Sequence, residues 1–231
     1  MNFLLVSATV MEIRPFLDGL PLIEKQSEQL SRYQYKKSVI DVLVPGVGMV
    51  PTAYFLGKQL AVQHYDLVVN AGIAGTFNKS LPLGSVVHVV EDCVPELGAE
   101  DGDQFLSVFE LGLADPDAVP YTNGRLINDI LDKKTPVNLE IIRKLPMVTG
   151  ITSNTIRGNA ESIARIRRVA KADLESMEGA AFFYACFSEG VPCIQIRAIS
   201  NLVEERDKSR WELRLALKNL NRMLLDFLNV H

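Results

Sequence analysis

The chain has 231 residues, 48% of them hydrophobic and 23% charged, so it carries enough apolar material for a substantial core. Its 24 basic residues stand against 28 acidic ones, a formal net charge of −4. That balance provides no basic face able to track a phosphate backbone, and a nucleic-acid polymer is not an expected partner.

The apolar runs are far too short to span a bilayer, so no membrane partner is expected. Phe3-Leu4-Leu5-Val6 lacks a cationic leader and reads as a first strand, which makes the expected location the cytoplasm. Cys93, Cys186 and Cys193 are odd in number and lack metal-like spacing. They read as buried reduced thiols, and neither a metal nor a cofactor is expected.

In chain order, the pattern predicts strands at residues 3–8 and 39–44, a helix at 49–63, and strands at 67–71 and 85–90. A strand at 147–152, helices at 160–170 and 179–189, a strand at 193–199 and a closing helix at 210–228 complete the series. The strands are rich in Val, Ile and Leu with little alternation, as expected when both sheet faces are covered. The closing helix places Leu213, Leu217, Leu220, Leu224 and Phe227 at three- and four-residue spacing. This alternation predicts an α/β fold, a three-layer αβα sandwich around a mainly parallel or mixed twisted sheet. We read residues 1–231 as a single domain interrupted by an irregular excursion at about 95–146. Phe105, Phe109 and Tyr121 in that excursion fit three roles equally: pocket lining, an interface, or packing under a loop.

Two glycine loops follow predicted strands: Pro45-Gly46-Val47-Gly48-Met49 and Asn70-Ala71-Gly72-Ile73-Ala74-Gly75. Ligands of open parallel sheets sit off the strand carboxyl ends, where these loops fall. Neither loop completes a dinucleotide fingerprint, and no Gly-Lys-Ser/Thr phosphate loop occurs.

Four segments occur in an informative order: Val6-Ser7-Ala8-Thr9-Val10-Met11-Glu12, the Asn70–Gly75 loop, Ser176-Met177-Glu178-Gly179-Ala180-Ala181, and Arg197-Ala198-Ile199-Ser200-Asn201. Together they resemble the nucleoside phosphorylase and nucleosidase superfamily over nearly the whole chain. Within it, Leu97-Gly98-Ala99-Glu100-Asp101-Gly102-Asp103 and the stretch from Ser200 to Asp207 look most similar to futalosine hydrolases. The resemblance implies a nucleoside phosphorylase-like fold and hydrolysis of futalosine to hypoxanthine and dehypoxanthine futalosine, on a route to menaquinone. It also implies a small-molecule nucleoside substrate, water as co-substrate, and a homo-oligomer, with a dimer favoured.

Breaking a ribosyl C–N bond builds positive charge on the sugar and negative charge on the base. Glu178 is the candidate sugar grip, because an ionised carboxylate accepts from paired 2′ and 3′ hydroxyls; the resemblance places Met177 under the sugar. Glu12 is the candidate for handling water, and a carboxylate there would repel the dianion a phosphorylase needs; Arg14 nearby argues the other way.

Asn201 replaces the aspartic acid of adenine-cleaving relatives. Its amide donates to a 6-keto oxygen while its carbonyl accepts from a protonated N7, which fits hypoxanthine or guanine. Ser200 is expected to orient Asn201, and Arg197 to anchor the two glutamates. Ala74 and Gly75 line the loop side, where Ile73 replaces a serine of the adenine-cleaving relatives. The resemblance assigns Ile156 to packing and Arg157 to backbone contact with the base. Trp211 is expected to open the last helix and close over the site. Arg206 and Arg210 carry two readings, partners for a 5′ carboxylate or solvated surface pairs with nearby acids. The alternatives are a 6-oxopurine nucleoside phosphorylase, a methylthioadenosine/S-adenosylhomocysteine-type nucleosidase and a non-catalytic nucleoside binder.

Overall fold

The computed structural model describes residues 1–36 and 38–230. Its first half contains β1 (Asn2–Val6), α1 (Val10–Leu17), β2 (Leu22–Lys25), β3 (Leu30–Tyr35), β4 (Ser38–Leu43), α2 (Met49–Leu60), β5 (Leu67–Thr76) and β6 (Val86–Asp92). The second half contains β7 (Gly98–Asp101), β8 (Gln104–Ser107), β9 (Leu126–Ile127), α3 (Glu140–Arg143), β10 (Met147–Thr152) and α4 (Ala160–Val169). It ends with β11 (Leu174–Ser176), α5 (Gly179–Ser188), β12 (Cys193–Leu202) and α6 (Leu213–Asn229).

The main sheet runs β11-β10-β6-β12-β5-β1-β4-β3-β2, mixed in direction, with parallel pairing around β1, β4, β5 and β12. Its far end curls so that β11 also pairs antiparallel with the end of β5, which closes a hoop of strands beside the site. Alternate residues of β5 feed opposite faces, because successive strand side chains point to opposite sides. Val69 packs with Ile13 and Phe16 of α1 and Leu220, Leu224 and Phe227 of α6. Val68 packs with Leu56 of α2 and Phe182 and Phe183 of α5. Helices therefore cover both faces of a mixed α/β sheet.

The structure extends and corrects the predicted elements. β5 and β12 run past residues 71 and 199, because their pairing continues to Thr76 and Leu202. α1 was not predicted, since Pro15 lies inside it and lacks the N–H that a helix interior uses. Asn221 of α6 inserts into the neighbouring turn, between Phe16 N and the Glu12 carbonyl: its Oδ1 accepts from Phe16 N at 2.9 Å and its Nδ2 donates to the Glu12 carbonyl at 2.8 Å.

The excursion holds the β7–β8 hairpin and then returns to the core through Ile130, Val137, Leu139 and Ile142. Phe105, Phe109 and Tyr121 do not line the cleft described below. Phe109 and Tyr121 stack edge-on at 5.2 Å, and Tyr121 also meets Tyr184 of α5 at 5.9 Å. The last helix begins at Leu213 rather than residue 210, because Asp207 caps a separate 3-10 turn at Lys208–Arg210 and leaves Trp211 extended. Cys186 and Cys193 are buried, Cys93 is half-buried, and all three are free thiols. Among the described residues no helix is long and apolar enough to cross a membrane.

Candidate active site

A cleft of about 250 Å³ opens where β5, β11 and β12 end beside α1 and α5. It is lined by Glu12, Glu175, Glu178, Ser200, Asn201 and Trp211 among others, and its remaining walls are mostly small or apolar.

Glu12 stands at the third position of α1, within Thr9-Val10-Met11-Glu12, the spacing of a capping box. Its Oε2 accepts from Thr9 N at 3.0 Å and Thr9 Oγ1 at 2.9 Å, while Oε1 accepts from Ile73 N at 3.1 Å. The carboxylate is only 8% exposed, so it is a fixed acceptor and not a solvated first-turn residue. Ile73 thus serves the site through its backbone, whatever its side chain.

Glu178 precedes α5, but the helix start is satisfied by other groups. Gly179 N donates to Ser176 Oγ at 3.2 Å and Ala180 N to Thr152 Oγ1 at 2.7 Å. Thr152 in turn donates to the buried Asp92 at 2.9 Å. That arrangement leaves the Glu178 carboxylate for the cleft, where Oε1 accepts from Gly48 N at 2.9 Å. Gly48 adopts φ of 99° at the start of α2, a backbone state that disfavours any side chain. Burial raises the Glu178 pKa, and Arg197 and the Gly48 N–H oppose that rise.

Arg197 lies on β12 behind the cleft, 2% exposed, and donates to Asn70 Oδ1. Burial lowers its pKa, while Glu178, Glu12 and Asp92 act to raise it. A side chain at Gly72 would meet Glu12 Oε1 at 2.9 Å and Arg197 Nη1 at 3.0 Å. The carboxylates and the guanidinium are therefore one buried charge cluster, with the cation counterbalancing the acids from beneath the cleft.

On the β12 side of the cleft the strand carries a bulge at Ser200: Ile199 pairs with Ala74 and Asn201 with Gly75. The extra residue allows Ser200 and Asn201 both to line the cleft, which strict alternation would forbid. The Ser200 hydroxyl donates to Asn201 Oδ1 at 2.8 Å, and Asn201 Nδ2 donates to the Leu202 carbonyl at 2.9 Å. A carbonyl only accepts, so this second bond fixes which way the amide faces.

The sequence matches the family model described as the phosphorylase superfamily over residues 3–229. It is 33% identical over 192 residues to a futalosine hydrolase of Streptomyces coelicolor, covering 78% of this chain and 74% of that one. A futalosine hydrolase of Thermus thermophilus is 31% identical over 221 residues, covering 95% and 92%. The chain belongs to the phosphorylase superfamily, in its futalosine hydrolase family. Members of this family are N-glycosidase hydrolases, and this chain is one of them. The fold matches a futalosine hydrolase structure of Helicobacter pylori with a TM-score of 0.80 at 18% identity over 100% of both chains. It also matches an S-adenosylhomocysteine nucleosidase of Streptococcus pyogenes in complex with 5-methylthiotubericidin, with a TM-score of 0.77 at 19% identity, covering 100% and 97%.

The cleft brings together Glu12, Ala74, Gly75, Ile156, Met177, Glu178, Ser200, Asn201 and Trp211 from the sequence-predicted set. Arg157, Arg197, Arg206 and Arg210 lie outside its lining, Arg197 in the charge cluster beneath it and Arg157 within ion-pair reach of the lining Glu175 at 3.6 Å. Arg157 pairs with Glu96 at 2.9 Å and donates to Ser153 Oγ at 2.7 Å. Arg206 lies over the Trp211 ring at 5.5 Å, and Arg210 pairs with Glu204 at 2.8 Å on the surface. Glu175 of β11, Thr9, Met11, Val47 and Thr155 also line the cleft; they fall within stretches read from the sequence, but none was given a role of its own. The signal for Thr9 was present in the Thr-x-x-Glu spacing; for Glu175, only the pairing of β11 with β5 reveals it. Among the described residues no cluster of His, Cys, Asp and Glu is placed to hold a metal ion.

Proposed function

We propose that the protein hydrolyses the N-glycosidic bond of futalosine, releasing hypoxanthine and dehypoxanthine futalosine. The observation that carries hydrolysis is the charge of the cleft: its charged lining consists of Glu12, Glu175 and Glu178. A phosphate dianion is repelled by such a wall, whereas water and a cationic sugar are favoured by it.

In this reading Glu178 accepts from the ribose hydroxyls and Met177 packs beneath the ring. Glu12 orients a water molecule whose oxygen bonds to the anomeric carbon as the C–N bond breaks. The water proton passes to Glu12, the bonding electron pair leaves with the base, and the base anion takes up a proton from solvent to depart as neutral hypoxanthine while Glu12 returns its proton to solvent. Asn201, oriented by Ser200, donates to the 6-keto oxygen, while Ala74, Gly75 and Ile156 pack around the base. Arg197 anchors the two glutamates from beneath the cleft, and Arg157 supports the base wall from behind. Trp211 closes the 5′ end, and Arg206, stacked on it, is the favoured partner of a carboxylate there; the surface pairing of Arg210 with Glu204 argues for a solvated role. The same reading takes residues 1–231 as one nucleosidase domain in a cytoplasmic homo-oligomer, a dimer by preference.

The test is to incubate the pure protein with futalosine, inosine and methylthioadenosine, with and without phosphate, and to identify the released base. Hypoxanthine from futalosine without phosphate is expected. Strict phosphate dependence would instead make it a phosphorylase, and preferential adenine release an adenine nucleosidase. Release of no base at all from any of the three would leave a nucleoside binder.

A further inference from the structure

We propose that Glu175 reads the base, accepting the N1–H of a 6-oxopurine across the cleft from Asn201. This deepens the proposed function and rests on its assignment of a purine to this end of the cleft.

Three strands place the two side chains. Glu175 on β11 pairs with Gly75 on β5, and Gly75 pairs on its other edge with Asn201 on β12. Directly paired residues share a sheet face, so Glu175 and Asn201 flank Gly75 on the same side. Both line the cleft. The residue between them contributes no side chain, and a Cβ there would meet Asn201 Nδ2 at 3.1 Å. Two strand spacings put the flanking backbones roughly 10 Å apart, room for a planar base edge with a hydrogen bond of about 2.9 Å at each side.

Glu175 is also an unfinished site. It is 5% exposed, yet its Oε2 has no hydrogen-bond partner. Arg157 Nη1 lies 3.6 Å away, within ion-pair reach but beyond hydrogen-bond length, and Arg157 is shared with Glu96. Burial pushes the Glu175 carboxyl up to about 7, with Arg157 opposing and Glu96 adding to the rise. A buried carboxylate in this condition gains from any N–H donor brought to it.

The chemistry then separates the bases. A 6-oxopurine offers an acceptor at O6 beside a donor at N1, which matches the Asn201 amide N–H and the Glu175 carboxylate. Adenine offers the reverse, a donor at N6 and a bare acceptor at N1. Leu202 holds the Asn201 amide with its N–H side toward the base, and an ionised carboxylate, the form that an N–H donor favours, only accepts. Glu175 therefore adds a second discriminating contact to that of Asn201.

The experiment is calorimetric titration of wild type, Glu175→Ala and Glu175→Gln with hypoxanthine, 1-methylhypoxanthine and adenine. Wild type is expected to favour hypoxanthine over its 1-methyl form by at least about 10-fold, the worth of a charge-assisted hydrogen bond. Glu175→Ala should bring that ratio close to one. Glu175→Gln should keep hypoxanthine binding, since its amide oxygen accepts, and gain adenine, since its amide nitrogen donates. Equal affinity of wild type for the two hypoxanthines overturns this assignment while leaving the purine site intact, and needs no variant to fold. An unchanged ratio in Glu175→Ala overturns it as well. Wild type that binds none of the three bases overturns both this assignment and the reading beneath it.

Discussion

At the inner end of the cleft, Glu12 is held by Thr9 and Ile73, and Glu178 by Gly48, with Arg197 buried beneath both. At the mouth, Trp211 is held by a single 3-10 turn, with Arg206 over its ring and Arg210 in a surface ion pair. The inner end is built from backbone donors contributed by separate elements, so its geometry is fixed before any substrate arrives. The mouth around Trp211 rests instead on a short 3-10 turn, a ring contact and a surface ion pair. Such a division suits a common ribosyl chemistry at one end and a variable substituent at the other.

The comparison breaks most readily at Glu12. Glu12→Gln is expected to lower kcat by about 10²–10⁴-fold with the fold intact, measured by base release and circular dichroism. A loss under threefold would remove Glu12 from the water-handling role.

Asn221 supports the same end from α6. Asn221→Leu leaves Phe16 N and the Glu12 carbonyl without their partner, and should destabilise the protein by about 1–3 kcal/mol in urea titration. An unchanged midpoint would show that α1 holds Glu12 without help.

Asp92 offers a pH test. Burial raises its carboxyl from 3.8 to about 6, so the folded state favours the protonated acid. Its contribution to stability is full below about 3.8 and is lost as pH rises through about 6. Asp92→Asn, which mimics the protonated form, should therefore gain thermal stability relative to wild type across that window and level off above it. A difference independent of pH would contradict the shift.

The smallest effects belong to the mouth. Trp211→Ala should raise KM by about 10-fold with little change in kcat, the pattern of lost uniform binding. Arg210→Ala should alter neither stability nor kinetics, because an exposed pair with Glu204 contributes little. A large effect of Arg210→Ala on kcat would place it in the inner machinery after all.

Much of this division was legible in the sequence wherever function coincided with a local motif. Thr9 with Glu12, Met177-Glu178 and Ser200-Asn201 each carry their signal within a few residues, and all of these line the cleft. The αβα layering was readable because both-face burial leaves long Val, Ile and Leu runs in β1, β5 and β12. What escaped was set by distant contacts. The three residues of β11 are too few for a period, so the sequence did not show that Glu175 lines the cleft. Thr152 and Asp92 cap α5 across the sheet, and Asn221 inserts into α1 from 205 residues away. The bulge at Ser200 belongs to pairing register, which periodicity cannot register because it changes no residue type.

Gly72 illustrates how a residue without any functional group can govern the reaction. A survey that trims side chains to alanine ordinarily subtracts atoms; here it adds one carbon, 2.9 Å from Glu12 Oε1 and 3.0 Å from Arg197 Nη1. Both neighbours are side-chain ends, so the added methyl displaces charges and leaves the strand in place. In a genetic selection for lost activity, Gly72 should recur beside the acids themselves, as a folded and abundant yet silent enzyme.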